Sequence, residues 1–188
     1  PMITLRPMTE AEFGSFRAQS LAGYIDERAR NNGTSVERER EIAAKQYDEL
    51  LPEGVRSKGQ RLWTLVAEDG QAVGWLWIEV DEEAGTAFIL DITLNPDQRG
   101  KGYGGQSLTA LEAELKPQGI QSIGLNVFAD NAVARHLYAR QGYRRTNQNM
   151  AKWLTDPPAT EAAPPGVQLQ PMTEAEFETF RDWAIEEY

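Results

Sequence analysis

Apolar positions along the chain recur at two different periods, and the switches between them outline the elements. Met2 to Arg6 alternates as a strand does, and Thr9-Glu-Ala-Glu12 then has the Thr-x-x-Glu form of a helix capping box. Phe13, Phe16, Leu21, Tyr24 and Ile25 fall on one helical stripe, which Asn31-Asn-Gly33 brings to a stop. Thr34 or Ser35 can cap a second helix running to about Leu51, whose Glu and Arg residues read as a solvated face, before Pro52 and Gly54 end it. Arg61 to Ala67, the turn Glu68-Asp69-Gly70 and Ala72 to Val80 read as an antiparallel hairpin, because Asp-Gly tolerates the positive φ of a tight turn. After a second polar turn, Asp81 to Gly85, Thr86 to Leu94 is the third strand of a meander.

Leu108, Leu111 and Leu115 restore helical spacing between Gln106 and Leu115, and Lys116-Pro-Gln-Gly119 stops that helix. Ile120 to Phe128 is the next strand. Asp130 or Asn131 caps a short helix ending at Gln141-Gly142, and Tyr143 to Leu154 is expected to return as one or two strands. The predicted order is β-α-α-β-β-β-α-β-α-β, an α/β (α+β) domain.

Composition narrows the chemistry. A chain of 188 residues, 40% hydrophobic and 26% charged, is expected to form one main soluble domain with something left over. No run approaches the apolar length of a membrane span, and no basic region followed by an apolar core opens the chain, so the expectation is a cytoplasmic protein with no membrane partner. Pro1 ahead of Met2 is set aside from the fold reading. The absence of cysteine excludes disulfides, thiolate metal sites and a cysteine nucleophile, and a single histidine, His136, excludes a histidine-rich metal centre. No metal is expected. Chemistry must therefore come from carboxylates, tyrosine, lysine, backbone groups or a bound cosubstrate.

The net charge of −10 argues against a nucleic-acid partner, which calls for a basic face. Its distribution adds a second point: residues 1–154 carry a net −3 and residues 155–188 a net −7, so most of the acidity lies in the tail. The low pI is thus not a sign that the site selects a cation.

Between the third meander strand and the following helix lies Asn95-Pro-Asp-Gln-Arg-Gly-Lys-Gly-Tyr-Gly-Gly105. Four glycines let backbone NH groups approach a ligand, and the helix that starts there adds unpaired donors and a dipole suited to an anion. The spacing is not that of a P-loop or of a Rossmann fingerprint. Its Arg99-x-x-Gly102-x-Gly104 pattern resembles the acyl-CoA-binding turn of the GNAT N-acetyltransferase superfamily. A second family-like stretch, Asn131-Ala-Val-Ala-Arg-His-Leu-Tyr138-Ala-Arg-Gln-Gly142-Tyr143, follows. With the element order, the resemblance covers about residues 2–154.

That resemblance implies a mixed, mostly antiparallel sheet whose two central strands splay apart, with helices on both faces. It implies transfer of an acetyl group from acetyl-CoA to a small-molecule or peptide amine. Arg99, Gly100, Lys101, Gly102, Tyr103 and Gly104 would hold the CoA pyrophosphate. The backbone of Ile92, Thr93 and Leu94 would pair with the pantetheine amides, and an NH there would polarise the thioester carbonyl. Asn131 and Ala134 would contact CoA, and Tyr138 would protonate the leaving thiolate. Asp91 and Glu79 are the candidate bases, with a structural hydrogen-bonding role open for Asp91 because a buried carboxylate needs partners. Trp63, Trp75 and Trp77 either line an acceptor pocket or pack in the core. The alternative function is a non-catalytic acyl-CoA-binding or regulatory module.

Leu169 to Arg181 repeats Leu5 to Arg17 at a constant offset of 164, identical at 10 of 13 positions. Thr155 to Gly166 before it is a proline-rich linker. Residues 167–188 therefore read as the start of a second, interrupted unit, or else as an added element. The copied strand and helix could replace their counterparts in a neighbouring chain and give a swapped homodimer. The copy ends before any second glycine turn, so one cofactor site is expected.

Overall fold

Alternation along the central strands gives the sheet two apolar faces, and the helices divide between them. The computed structural model describes residues 2–152 together with Leu154, Thr173 and Phe177. The strands are β1 (Thr4–Pro7), β2 (Gln60–Val66), β3 (Ala72–Asp81), β4 (Thr86–Leu94) and β5 (Ser122–Leu125), lying side by side in that order. All neighbours are antiparallel except the parallel pair β4 and β5. The helices are α1 (Glu10–Asn32), α2 (Val36–Leu50), α3 (Tyr103–Leu115) and α4 (Ala132–Arg140).

On one face Leu76 and Ile78 of β3 and Ile89 of β4 pack with Leu108, Leu111 and Leu115 of α3, and Leu137 and Tyr138 of α4 join the edge of that cluster. The three α3 leucines at helical spacing are each at most 1% exposed, and such burial stabilises by roughly 1.5–3 kcal/mol per side chain. On the other face Trp77 packs with Phe16 of α1 and with Tyr47 and Leu51, while Trp75, Leu21, Tyr24 and Leu90 lie partly buried around them. Trp63 and Trp77 are thus core residues, and the indole of Trp77 donates to Gln60 Oε1 at 2.7 Å.

The helix boundaries follow the capping chemistry. Thr9 donates its NH and its hydroxyl to the Glu12 carboxylate at 2.9 and 2.7 Å, and Arg6 reaches the same carboxylate at 2.6 Å. Ser35 Oγ accepts from the Arg38 NH at 3.3 Å. The expectation of a uniformly solvated face on α2 fails at Glu39, which is 2% exposed. It is paired with Arg28 of α1 and receives the Thr34 hydroxyl at 2.6 Å, so it ties the two helices together.

Two further expectations are corrected near the C-terminal side of the sheet. The strand read over Ile120 to Phe128 is limited to Ser122–Leu125. The strands read over Tyr143 to Leu154 are not formed by the described residues: 143–152 pair with no strand and 144–152 are exposed, because their sequence, RRTNQNMAK, offers almost no alternating apolar face to bury.

The chain divides into two units, Pro1–Thr155 and Asp156–Tyr188. Most of the second, including the proline-rich linker and the proposed exchange of strand and helix, lies outside the described residues. Within it Phe177 NH donates to Thr173 O at 2.9 Å, as Phe13 NH donates to Thr9 O at 3.1 Å in the first copy.

Candidate active site

The site begins with an irregularity in β4. Trp77 lies opposite Asp91 and Ile78 opposite Ile89, so Leu90 is the extra residue of a β-bulge. A regular strand would turn Asp91 to the same face as Ile89, into the leucines of α3. The bulge instead lets Leu90 and Asp91 both face α1 and α2. There the carboxylate meets three donors: Ser20 of α1 and the Trp75 indole (2.7 Å) on Oδ2, and the Thr93 hydroxyl (2.8 Å) on Oδ1. Burial raises the Asp91 pKa above the usual carboxylate range, and the three hydrogen bonds oppose that shift.

Beyond the bulge β4 loses its second neighbour. The parallel pairing of β4 with β5 stops at Ile89 opposite Leu125, whereas β3 accompanies β4 to Leu94. Ile92, Thr93 and Leu94 therefore have β3 on one side and no paired strand on the other. The two strands expected to splay are thus paired only over Thr86–Ile89 and Ser122–Leu125, and among the described residues β5 is the edge strand of the sheet. Close approach of β3 depends on Gly74, opposite Leu94: a Cβ there would lie 2.0 Å from Thr93 O.

The glycine turn starts where β4 ends. Arg99 is folded back, its Nε donating to Leu94 O at 3.2 Å, and Lys101 donates to Gln98 Oε1 at 2.9 Å. Gly100 and Gly102 have φ of 76° and 81°, left-handed values that side chains resist, and a Cβ at Gly100 would meet nothing within 4 Å. The first α3 bond runs from Gln106 NH to Gly102 O, so the NH groups of Tyr103, Gly104 and Gly105 have no carbonyl one turn behind them. Gly104 has a second use: a Cβ there would lie 3.0 Å from Leu137 Cδ2, so its bareness also lets α4 pack on α3.

Asn131 caps α4, its Oδ1 accepting from Ala134 NH at 3.0 Å. Tyr138 projects from α4 into the cluster beside α3, 5.6 Å from the Tyr143 ring. Burial first, and then the charges of Asp91 and Glu27, push its hydroxyl up to about 12.

A family model described as the acetyltransferase (GNAT) family matches residues 21–143, which span the splay, the glycine turn and α4. The chain belongs to this family. The GNAT domain is 37% identical over 155 residues to YycN of Bacillus subtilis (strain 168), an uncharacterized N-acetyltransferase, covering 81% of this chain and 99% of that protein. It is 34% identical to YdgE of the same organism, also an uncharacterized N-acetyltransferase, over 80% of this chain and 98% of the relative. The crystal structure of YycN matches with a TM-score of 0.77 and 33% identity over 82% of this chain and 100% of that one. A spermidine N-acetyltransferase from Vibrio cholerae in complex with CoA and spermine shares the fold at a TM-score of 0.54 and 17% identity, over 75% of this chain and 80% of that one.

The acetyltransferase fold brings Asp91 and Tyr138 within electrostatic reach of each other and leaves Glu79 aside. Glu79 is exposed opposite Phe88, three residues along β4 from Asp91, and receives the Gln60 amide at 3.3 Å. Trp75 is the one of the three tryptophans that touches the candidate chemistry, through its bond to Asp91. Sequence reading missed Ser20, Tyr47 and Glu27. Tyr47 and Ser20 are joined at 2.8 Å behind Asp91. Glu27 is partly buried, and burial raises its pKa, followed by the charges of Asp91 and Asp130 against the lowering effect of Arg30. Only its place seven residues after Ser20, on the same side of α1, hinted at it. Among the described residues no group of three His, Asp or Glu side chains gathers as a metal site.

Proposed function

We propose that the protein transfers an acetyl group from acetyl-CoA to the amine of a small molecule or peptide by direct attack, with Tyr138 as general acid and Asp91 receiving the acceptor. The observation that carries this reading is the edge of β4 at Ile92–Leu94, left unpaired by β5 and followed, after the glycine turn, by the NH groups at the start of α3 that have no carbonyl one turn behind them. A strand edge suits pantetheine amides, and NH groups at a helix start suit a pyrophosphate. Arg99, Gly100, Lys101, Gly102, Tyr103 and Gly104 would cradle the pyrophosphate, with Asn131 and Ala134 at the facing end of α4. Two buried polar atoms without a partner among the described residues, Gln106 Oε1 and Tyr143 Oη, also suit a polar ligand beside α3.

The acceptor ammonium gives a proton to Asp91 or to water, and its nitrogen attacks the thioester carbonyl. The C–N bond forms, the C–S bond breaks, and the departing thiolate takes the Tyr138 proton. The new amide nitrogen sheds its second proton, which restores Tyr138. A phenol held at about 12 stays protonated across the neutral range and is available to a thiolate.

Thiol release from acetyl-CoA across a panel of amines, polyamines, aminoglycosides and peptides tests the reading. Tyr138→Phe should lower kcat roughly 100-fold or more with the acetyl-CoA KM and melting temperature nearly unchanged. A variant within threefold of the parent removes Tyr138 from the acid role. Failure of acetyl-CoA to raise the melting temperature refutes the CoA site itself.

A further inference from the structure

One hydrogen-bonded thread crosses from the helices into the splayed strand. Ser20 is 5% exposed within α1, and its hydroxyl is given to Asp91 Oδ2 rather than to the carbonyl one turn back that a helical serine commonly uses. A serine hydroxyl owns one hydrogen. The 2.8 Å contact between Tyr47 Oη and Ser20 Oγ therefore runs from Tyr47 to Ser20, and the thread is directed: Tyr47 on α2, Ser20 on α1, Asp91 on β4. The other two donors to Asp91 belong to the sheet. Thr93 is two residues along the same strand, and Trp75 lies opposite Thr93 on β3, so both travel with β4. Among the described residues, Ser20 is the donor that fixes the carboxylate relative to α1 and α2. With two donors on Oδ2 and one on Oδ1, the oxygen with a spare lone pair is Oδ1.

We propose that Ser20 is a positioning residue for acetyl transfer, holding the Asp91 carboxylate at a fixed place between the α1–α2 pair and the splayed end of β4 so that Oδ1 faces the incoming amine. This rests on the acyl-transfer reading above. The titratable groups that act on this place are Glu27 of α1, Tyr138 of α4 and Tyr47 of α2, the last also sensing Arg17. Tyr47 is raised by burial and stays a neutral donor at working pH.

The test pairs kinetics with a titration that needs no acceptor. Thiol release is measured across pH for the parent, Ser20→Ala, Tyr47→Phe and Asp91→Asn. The Asp91 carboxyl is followed by 13C NMR in aspartate-labelled full chain, identified as the signal missing from Asp91→Asn. Removing a donor to the charged form raises a carboxyl pKa. Ser20→Ala should lift the Asp91 titration by about one pH unit, lower kcat about tenfold and leave the acetyl-CoA KM within twofold. Tyr47→Phe should shift the titration in the same direction by less, and Ser20→Ala should cost little more in an Asp91→Asn background. An Asp91 titration unmoved in Ser20→Ala, or a full Ser20→Ala rate loss persisting on Asp91→Asn, overturns the proposal. Parent protein that releases no thiol with any amine overturns the acyl-transfer reading instead, while the titration still judges the hydrogen bond.

Discussion

Gly74→Ala isolates the contact that shapes the open end of β4. The added Cβ would sit 2.0 Å from Thr93 O, 2.9 Å from Leu94 Cα and 3.0 Å from the Thr93 carbonyl carbon, all backbone atoms. Cβ contacts under 3.0 Å are essentially never tolerated, so β3 and β4 must separate by about 1 Å at this point. No left-handed φ is involved, so the cost is one of space. Overpacking of this kind costs about 1–3 kcal/mol, and the upper end applies because neither strand can rotate a side chain out of the way. At ~2–4 °C per kcal/mol for a chain of this size, the melting temperature should fall by about 6–12 °C. The displaced Thr93 and Leu94 should also raise the acetyl-CoA KM. Gly23→Ala is the control: nothing lies within 4 Å of its Cβ in mid-α1, and replacing a helical glycine there should stabilise by about 0.5–1 kcal/mol. Thermal melts and acetyl-CoA titrations read both. A Gly74→Ala protein that melts within 1 °C of the parent with unchanged acetyl-CoA affinity refutes a role for β3 in holding the proposed cofactor edge in place.

Glu39→Ala removes the buried partner of Arg28, which retains some solvent access, so a loss of about 2–3 kcal/mol is expected in urea unfolding. The Glu39 pKa is lowered, chiefly by the Thr34 hydroxyl and then, against burial, by Arg28. The parent's advantage over the variant should thus be full above the unfolded carboxyl range and vanish as pH falls through the folded value. Glu12 behaves alike at the start of α1: its pKa is lowered to about 2, first by Arg6, with Thr9 adding to the effect. Glu12→Gln should cost about 0.5–1 kcal/mol near neutrality, and its difference from the parent in melts should shrink between about pH 4.5 and 2.

The elements that could be read from sequence are those whose information is local. The capping box at Thr9, the stop at Gly33, the Asp69-Gly70 turn and the leucine spacing of α3 each need only a few neighbouring residues, and each appears in the structure. The glycine turn and Asn131 were legible for the same reason. Residues 143–152 were misread because a strand needs a partner as well as a pattern, and this stretch has little apolar alternation to enforce one. Glu39 was misread because charge alone marks it as solvated, while its partner Arg28 lies on another helix.

Asp91 shows why a candidate can be found in the sequence and its surroundings missed. Read by strict alternation, TAFILDITL turns Asp91 to the face of Ile89, where the α3 leucines would leave its carboxylate unpaired. Nothing within the nine residues announces the bulge. It follows from β3: Trp77 and Trp75 must face α1 and α2 to reach Phe16 and Tyr47, and a bulge at Leu90 places Asp91 opposite Trp77, beside Trp75. Only then are Ser20 and the Trp75 indole within reach, and both come from parts of the chain far from Asp91 in sequence. The same bulge lets Ile92 and Leu94 return to the α3 face while β5 ends its pairing at Ile89. One extra residue thus accounts both for the carboxylate proposed to receive the acceptor and for the register of the strand edge proposed to bind the cofactor, and removing Leu90 should lower thiol release and acetyl-CoA affinity together.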